Sequence, residues 1–132
     1  MLGLSGVWRQ SHLPIKADLR GAAAYVQTRR LPGDRVIFQM PYIRHTFEYY
    51  AGPQSGAIEG FYTNNGTAPD QVADELDAAL DGAPAAWIVL SEETAWDERG
   101  LVRDWLEENG VRSEEQEFNR VRVMRFTLDP HQ

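Results

Sequence analysis

The residues of this chain that are best suited to chemistry lie in one short stretch, QMPYIRHTFEYYAG, which runs from Gln39 to Gly52. The stretch combines several aromatic rings with an arginine, a histidine and a glutamate, directly after the apolar run RVIF. Aromatic rings beside a few hydrogen-bonding groups are suited to a sugar, a lipid phosphate or a peptide. Tyrosines that follow a strand can instead pack against the protein and hold a loop in place. The stretch therefore predicts either a ligand site or a packed loop.

A second polar cluster, Ser91-Glu92-Glu93, follows the apolar run AAWIVL. Both apolar runs are typical of strands buried on both faces, as in parallel sheets. Ligands of open α/β sheets bind beyond the carboxyl ends of such strands. If the two strands are parallel neighbours, the residues that follow them converge. The predicted ligand-binding residues are Tyr42, Arg44, His45, Tyr49 and Glu92.

Composition excludes several kinds of function. The chain has no cysteine, so disulfides, thiol nucleophiles and cysteine-ligated zinc are ruled out. The net charge of -7 provides no basic surface for nucleic acid. His45 has no second histidine near it in sequence, and no Gly-rich nucleotide motif is present, so no metal or cofactor is predicted.

Capping signals and apolar periodicity predict three helices along the chain. The first lies in DLRGAAAYVQTRRLPGD, with Asp18 as its cap and a glycine and alanines for close packing. The second lies in PDQVADELDAALDG, with Pro69 in its first turn. The third lies in DERGLVRDWLEENG, with Asp97 as its cap and Gly110 as the C-terminal glycine.

The end of the chain is predicted to form an antiparallel hairpin. Its strands are VRSEEQEF and VRVMRFTL, and Asn119-Arg120 supplies the tight turn between them. Strands that alternate with helices indicate a layered α/β domain. The predicted fold is a three-layer Rossmann-like domain over residues 1–132, with a mostly parallel sheet and an antiparallel C-terminal edge hairpin.

Four segments, taken in order, give the chain a family resemblance. Together they resemble the soluble C-terminal domain of bacterial polytopic membrane glycosyltransferases, the relatives of dolichyl-phosphate-mannose protein mannosyltransferases and of aminoarabinose transferases. The segments are KADLRGAAAYVQTRRLPGDRVIF, YIRHTFEYY, AAWIVLSEETAWDERGLVRDWLEENG and EFNRVRVMRF. The positions that fit the family pattern are Asp18, Arg20, Ala22, Ala23, Tyr25, Pro32, Gly33, Asp34, Phe47–Tyr50 and Arg122-Val123.

The resemblance implies a location, a partner and a role. Such domains lie on the extracytoplasmic face of the cytoplasmic membrane, after a membrane-embedded body that takes sugar from a polyprenyl-phosphate donor. The family's catalytic carboxylates lie in that body, so no catalytic residue is carried over. Residues 1–14 would be a linker from that region. The domain would cover the membrane active site or help to hold acceptor or donor, with Arg44 as partner for a lipid-linked phosphate.

The sequence leaves two alternatives open. The chain's longest apolar run, AAWIVL, is far shorter than the roughly 20 residues of a membrane helix, so a soluble domain is expected. Such a domain would also suit a stand-alone small α/β hydrolase or transferase that uses His45 with Glu92. The second alternative is a structural or interaction module without a ligand site.

Overall fold

Helices and strands alternate along the described chain up to its last two strands, which follow each other directly. The computed structural model describes residues 18–40, 43–54, 56–59, 61–91 and 96–128. The elements are α1 (Leu19–Arg29), β1 (Arg35–Phe38), α2 (Ile43–Ala51), β2 (Ile58–Glu59), α3 (Pro69–Ala79), β3 (Ala85–Leu90), α4 (Leu101–Asn109), β4 (Gly110–Phe118) and β5 (Val121–Leu128). The predicted α/β class is confirmed.

The strands form one mixed sheet in the order β2-β1-β3-β5-β4. Strand β1 is parallel to both β2 and β3, with Val36 beside Trp87. Strand β5 is antiparallel to both β3 and β4, so the C-terminal hairpin closes one side of the sheet. The two buried runs therefore lie side by side and point the same way, as the sequence predicts. Within the described ranges, no helix is long and apolar enough to cross a membrane.

Side chains of the central strands alternate between two hydrophobic clusters, because successive residues of a strand point to opposite faces. Phe38 and Trp87 belong to the first cluster, with buried residues of α1 and α2. Ile37 and Ile88 belong to the second cluster, with buried residues of α3 and α4. All four are fully buried, which explains why β3 and the last three residues of β1 are apolar.

The predicted Asp18 cap of α1, the Pro69 start of α3 and the apolar stripes of the three helices are confirmed. The Asp18 carboxylate accepts a hydrogen bond from the Gly21 amide at 2.9 Å and starts α1. Pro69 is the first residue of α3, where its missing N–H costs no helical hydrogen bond. In α4, Val102 and Leu106 are fully buried and point toward the sheet.

Two local expectations differ from the structure. Residues 43–51 form helix α2 rather than a trailing loop, with Ile43 and Phe47 buried one turn apart. Gly110 is extended, at φ -146, and not left-handed. A glycine is needed there for space, because a Cβ atom would lie 2.9 Å from the Thr127 carbonyl oxygen. Helix α4 thus passes directly into β4.

A buried carboxylate connects the start of β1 to the rest of the sheet. Asp34 Oδ2 accepts hydrogen bonds from Trp87 Nε1 at 2.9 Å, Arg125 Nε at 3.0 Å and the Leu31 amide at 3.1 Å. The Asp34 side chain is fully buried, and that of Arg125 is only 13% exposed. Burial alone would raise the pKa of Asp34, but these hydrogen bonds outweigh burial and hold its pKa below the ordinary value.

Asp34→Asn should strongly destabilise the fold, because Arg125 keeps its charge in a buried place without a counter-charge. Removal of one partner of a buried ion pair lowers the free energy of unfolding by about 3–5 kcal/mol. Urea denaturation followed by circular dichroism measures this change. Asp77→Asn, on the exposed face of α3, is the control and should change stability by about 0.5 kcal/mol or less. Equal stability of the two variants would contradict the role of Asp34.

The stability contributed by the ionised Asp34 side chain should be lost as the pH falls. Its folded-state pKa is lowered, so the contribution is fully present above the unfolded aspartate pKa of about 3.9 and disappears as pH falls through the lower folded value. The difference in unfolding free energy between wild type and Asp34→Asn should thus be constant from about pH 5 to 7 and shrink below about pH 4. A difference that grows on acidification would contradict this assignment.

Candidate functional site

The carboxyl edge of the parallel strands is the natural place for a ligand. From β1 the chain passes to β2 on one side, whereas β3 lies on the other side of β1. α/β sheets bind their ligands at such a reversal of strand order, beyond the carboxyl ends of the strands. Gln39 and Met40 follow β1, and Ser91 follows β3. The parallel pairing of the two strands brings these residues to one edge.

Gln39 carries the most unusual polar group at this edge. Its side chain is fully buried, and its Nε2 donates a hydrogen bond to the Phe61 carbonyl oxygen at 2.9 Å. Its Oε1 is also buried and receives no hydrogen bond from any residue that the structure describes. An unsatisfied buried acceptor costs about 1–3 kcal/mol. Gln39 is therefore equipped to accept a hydrogen bond from a molecule other than this chain.

The segment after β2 reaches the same edge in a strained conformation. Phe61 has φ of +75, in the left-handed region that side chains other than glycine rarely adopt. A residue held in such a backbone conformation lowers the stability of the fold by about 1–3 kcal/mol, and residues of this kind are concentrated at functional sites. The next residue, Tyr62, has an exposed ring that meets Trp96 edge to face, with 5.2 Å between ring centroids. Sequence analysis did not select Gln39, Tyr62 or Trp96 as site residues.

A buried carboxylate holds the two loops behind this aromatic pair together. Thr63 Oγ1 donates to Asp97 Oδ1, and the same carboxylate accepts the Leu101 amide at 3.0 Å and the Val102 amide at 2.9 Å. The N-cap residue of α4 is Gly100, and not Asp97 as the sequence predicted, but the Asp97 carboxylate still accepts the first amides of the helix from three residues further back. Arg99 Nη2 adds a hydrogen bond to the Thr63 carbonyl at 2.8 Å. The Asp97 carboxylate therefore occupies the position at the N-terminus of α4 where an external anion would otherwise bind.

Arg44 is engaged with two carboxylates of its own chain. Its Nε donates to Glu48 Oε2 at 3.2 Å, and its Nη1 donates to Glu59 Oε2. These hydrogen bonds, with Glu59 first, raise the pKa of Arg44 above its usual value. The Gln54 amide, together with Arg44, overcomes the effect of burial and lowers the pKa of Glu48. Arg44 therefore joins α2 to the end of β2, and a lipid phosphate would have to compete with both glutamates.

The remaining predicted residues are not all at this edge. His45 is exposed in the first turn of α2, close to the end of β1. Tyr49 is 83% exposed and packs edge to face with Tyr50, with centroids 5.1 Å apart. Tyr49 lies in the last turn of α2, about 6 Å beyond His45 along the helix axis, as the chain returns toward the start of β2. Tyr42 and Glu92 lie outside the described residues.

A shallow depression of about 380 Å³ lies at the opposite, amino edge of the sheet. It is lined by Gln27, Arg30, Leu31, Pro32, Gly33 and Gln54. Arg30 donates hydrogen bonds there to the Gln54 side chain and to the Asp34 carbonyl. No group of three His, Asp or Glu side chains suited to a metal ion occurs in the part of the chain that the structure describes. We prefer the carboxyl edge as the candidate site because of the unsatisfied acceptor of Gln39 and the positive φ of Phe61.

Comparison with known proteins adds no relative to this chain. No protein-family model, curated protein or solved structure matches it. The family assignment proposed below therefore rests on the sequence resemblance, and the placement of the ligand rests on the residues and their geometry.

Asp97→Ala should loosen the β2–α3 loop as well as weaken α4. Loss of the hydrogen bonds from the first amides of α4 and from Thr63 should lower the free energy of unfolding by about 1–3 kcal/mol. Hydrogen exchange should become faster at the amides of residues 61–67. Asp104→Ala, at an exposed position in the first turn of the same helix, is the matched control and should leave that loop unchanged. Equal exchange rates in both variants would contradict the proposed connection.

Proposed function

We propose that this chain is the non-catalytic, extracytoplasmic domain of a polytopic membrane glycosyltransferase with a polyprenyl-phosphate-linked sugar donor. In this proposal the carboxyl edge helps to hold the sugar-bearing acceptor or donor. The family part of this proposal rests on the four segments that resemble such domains. The observation that supports a ligand at the carboxyl edge is the parallel pairing of β1 and β3, because this pairing delivers Gln39 and Ser91 to one edge at the point where strand order reverses. A three-layer Rossmann-like arrangement is the form of α/β fold that we propose for the domain.

The candidate residues take different parts in this proposal. His45, with Tyr42 and Glu92, would contact the ligand at the rim. Arg44 would support α2, since both of its glutamate partners lie on this domain. Tyr49 would face the membrane-embedded part of the parent protein, because exposed tyrosine rings suit boundaries between apolar and aqueous surroundings.

A transfer assay on the parent protein tests this function. The reading frame upstream of Met1 should encode a series of apolar helices, and the isolated domain should not transfer sugar. In the full-length protein, His45→Ala should reduce transfer by roughly tenfold, the effect of about one hydrogen bond to the ligand. Val111→Ala, on the exposed edge strand, is the control.

Other outcomes would favour the alternatives. If the isolated domain turns over a substrate and His45→Ala abolishes that turnover, a stand-alone enzyme that uses His45 with Glu92 is the better explanation. If the upstream frame encodes no membrane helices and neither sugars nor polyprenyl phosphates bind, the domain is a structural or interaction module.

A further inference from the structure

Two neighbouring features at the carboxyl edge suit the same kind of ligand. One is the buried amide of Gln39, whose Oε1 accepts no hydrogen bond from the described residues. The other is the aromatic pair of Tyr62 and Trp96, whose rings meet at 86°. The Gln39 amide is bonded to the peptide that joins Phe61 to Tyr62, so the two features are connected through one peptide group.

The amide requires a donor group from its ligand. Gln39 Nε2 is already used by the Phe61 carbonyl, so only the acceptor of this side chain remains. A hydroxyl or an N–H group satisfies it, and a phosphate oxygen without a proton does not. The ligand must therefore donate a hydrogen bond to Gln39 Oε1.

The Tyr62 ring offers one flat apolar face, and the Trp96 ring stands nearly perpendicular to it. Tyr62 is 46% exposed, so its ring is accessible to a ligand. An edge-to-face partner holds a ring in a fixed orientation, which lowers the entropy lost when a ligand packs on it. The C–H face of a sugar ring is apolar, and its rim carries hydroxyl donors.

The charges near this edge disfavour an anionic ligand. The Asp97 carboxylate occupies the start of α4, where a phosphate would otherwise find free amides. Arg44 is held between Glu48 and Glu59. The whole chain has a net charge of -7. A neutral, hydroxyl-rich ligand fits these surroundings better than a lipid phosphate does.

We propose that the carboxyl edge binds a neutral sugar ring, which packs on Tyr62 and Trp96 and donates one hydroxyl hydrogen bond to Gln39 Oε1. This inference rests on the proposed function and deepens it, since it assigns the sugar, and not the phosphate, of the donor or acceptor to this domain. Because Oε1 is closed to bulk water, the hydroxyl must displace part of the rim to reach it. Phe61, at φ of +75, is the strained point of that rim.

Nuclear magnetic resonance of the 132-residue chain tests this site with methyl glycosides of mannose, glucose and galactose as probes. At least one glycoside should shift the Trp96 indole signal and the Gln39 side-chain amide signals in a saturable manner. Inorganic phosphate and a short polyprenyl phosphate, added separately, should leave these signals unchanged.

Variants then identify the contact residues. Tyr62→Ala and Gln39→Met should each weaken glycoside binding by about tenfold, the effect of one lost contact of about 1.4 kcal/mol. Val111→Ala, at an exposed position of β4, should bind like the wild type. Tyr62 is exposed, so Tyr62→Ala should fold even if Gln39→Met does not. Trp96→Phe tests the second ring of the aromatic pair.

Each contrary result has a distinct meaning. Absence of a glycoside shift at Trp96 and Gln39, or a bound water as the only partner of Gln39 Oε1, would overturn the sugar site. The sugar site would also be overturned if Tyr49→Ala abolishes glycoside binding and Tyr62→Ala does not. That result would place the ligand on helix α2 instead. In both cases the proposed function survives if the parent protein transfers sugar and requires this domain. It fails independently if the upstream frame encodes no membrane helices.

Discussion

The arrangement of the sheet depends on the buried hydrogen bonds of one carboxylate. Asp34 stands immediately before β1 and binds the indole of Trp87 in β3 and the guanidinium of Arg125 in β5. Trp87 and Arg125 are themselves opposite each other in the antiparallel pair. Asp34 therefore fixes the point where the parallel half of the sheet meets the antiparallel half. Without that anchor, the register of β1 would depend on apolar packing, which discriminates less sharply between registers in strands buried on both faces.

The two edges of the sheet differ in how completely their buried polar groups are hydrogen-bonded. At the amino edge, Asp34 and its partners satisfy one another. At the carboxyl edge, Asp97 holds the loops in place, while Gln39 keeps an acceptor that the described residues do not use. Buried polar groups are normally paired, and exceptions deserve a physical explanation. A rigid amino edge with a partly unsatisfied carboxyl edge is the pattern expected of a domain that holds a ligand at one end only.

Most of the framework could be predicted from the sequence because its signals are local. Asp18, Pro69 and Asp97 act within one or two turns of their own helices, and the hairpin turn lies at Asn119-Arg120 as expected. Helix α2 was missed because its tyrosines point outward, so only Ile43 and Phe47 mark an inner face. Gln39 and Tyr62 could not be recognised as site residues, since their importance comes from contacts between segments far apart in the chain. A glutamine directly behind a buried strand was the one available signal.

The pairing of Asp34 with Arg125 spans 91 positions of the chain. Strand β5, an interior strand of the sheet, is the last to leave the ribosome. Until it does, β3 has an uncovered side and Asp34 lacks its cationic partner, so the earlier segments cannot complete the domain. The sequence separation of these contacts implies slow, concerted folding once β5 has been synthesised rather than stepwise assembly from the amino end. A nascent chain stopped before β5 would expose an apolar strand edge, the feature that chaperones shield and that drives aggregation.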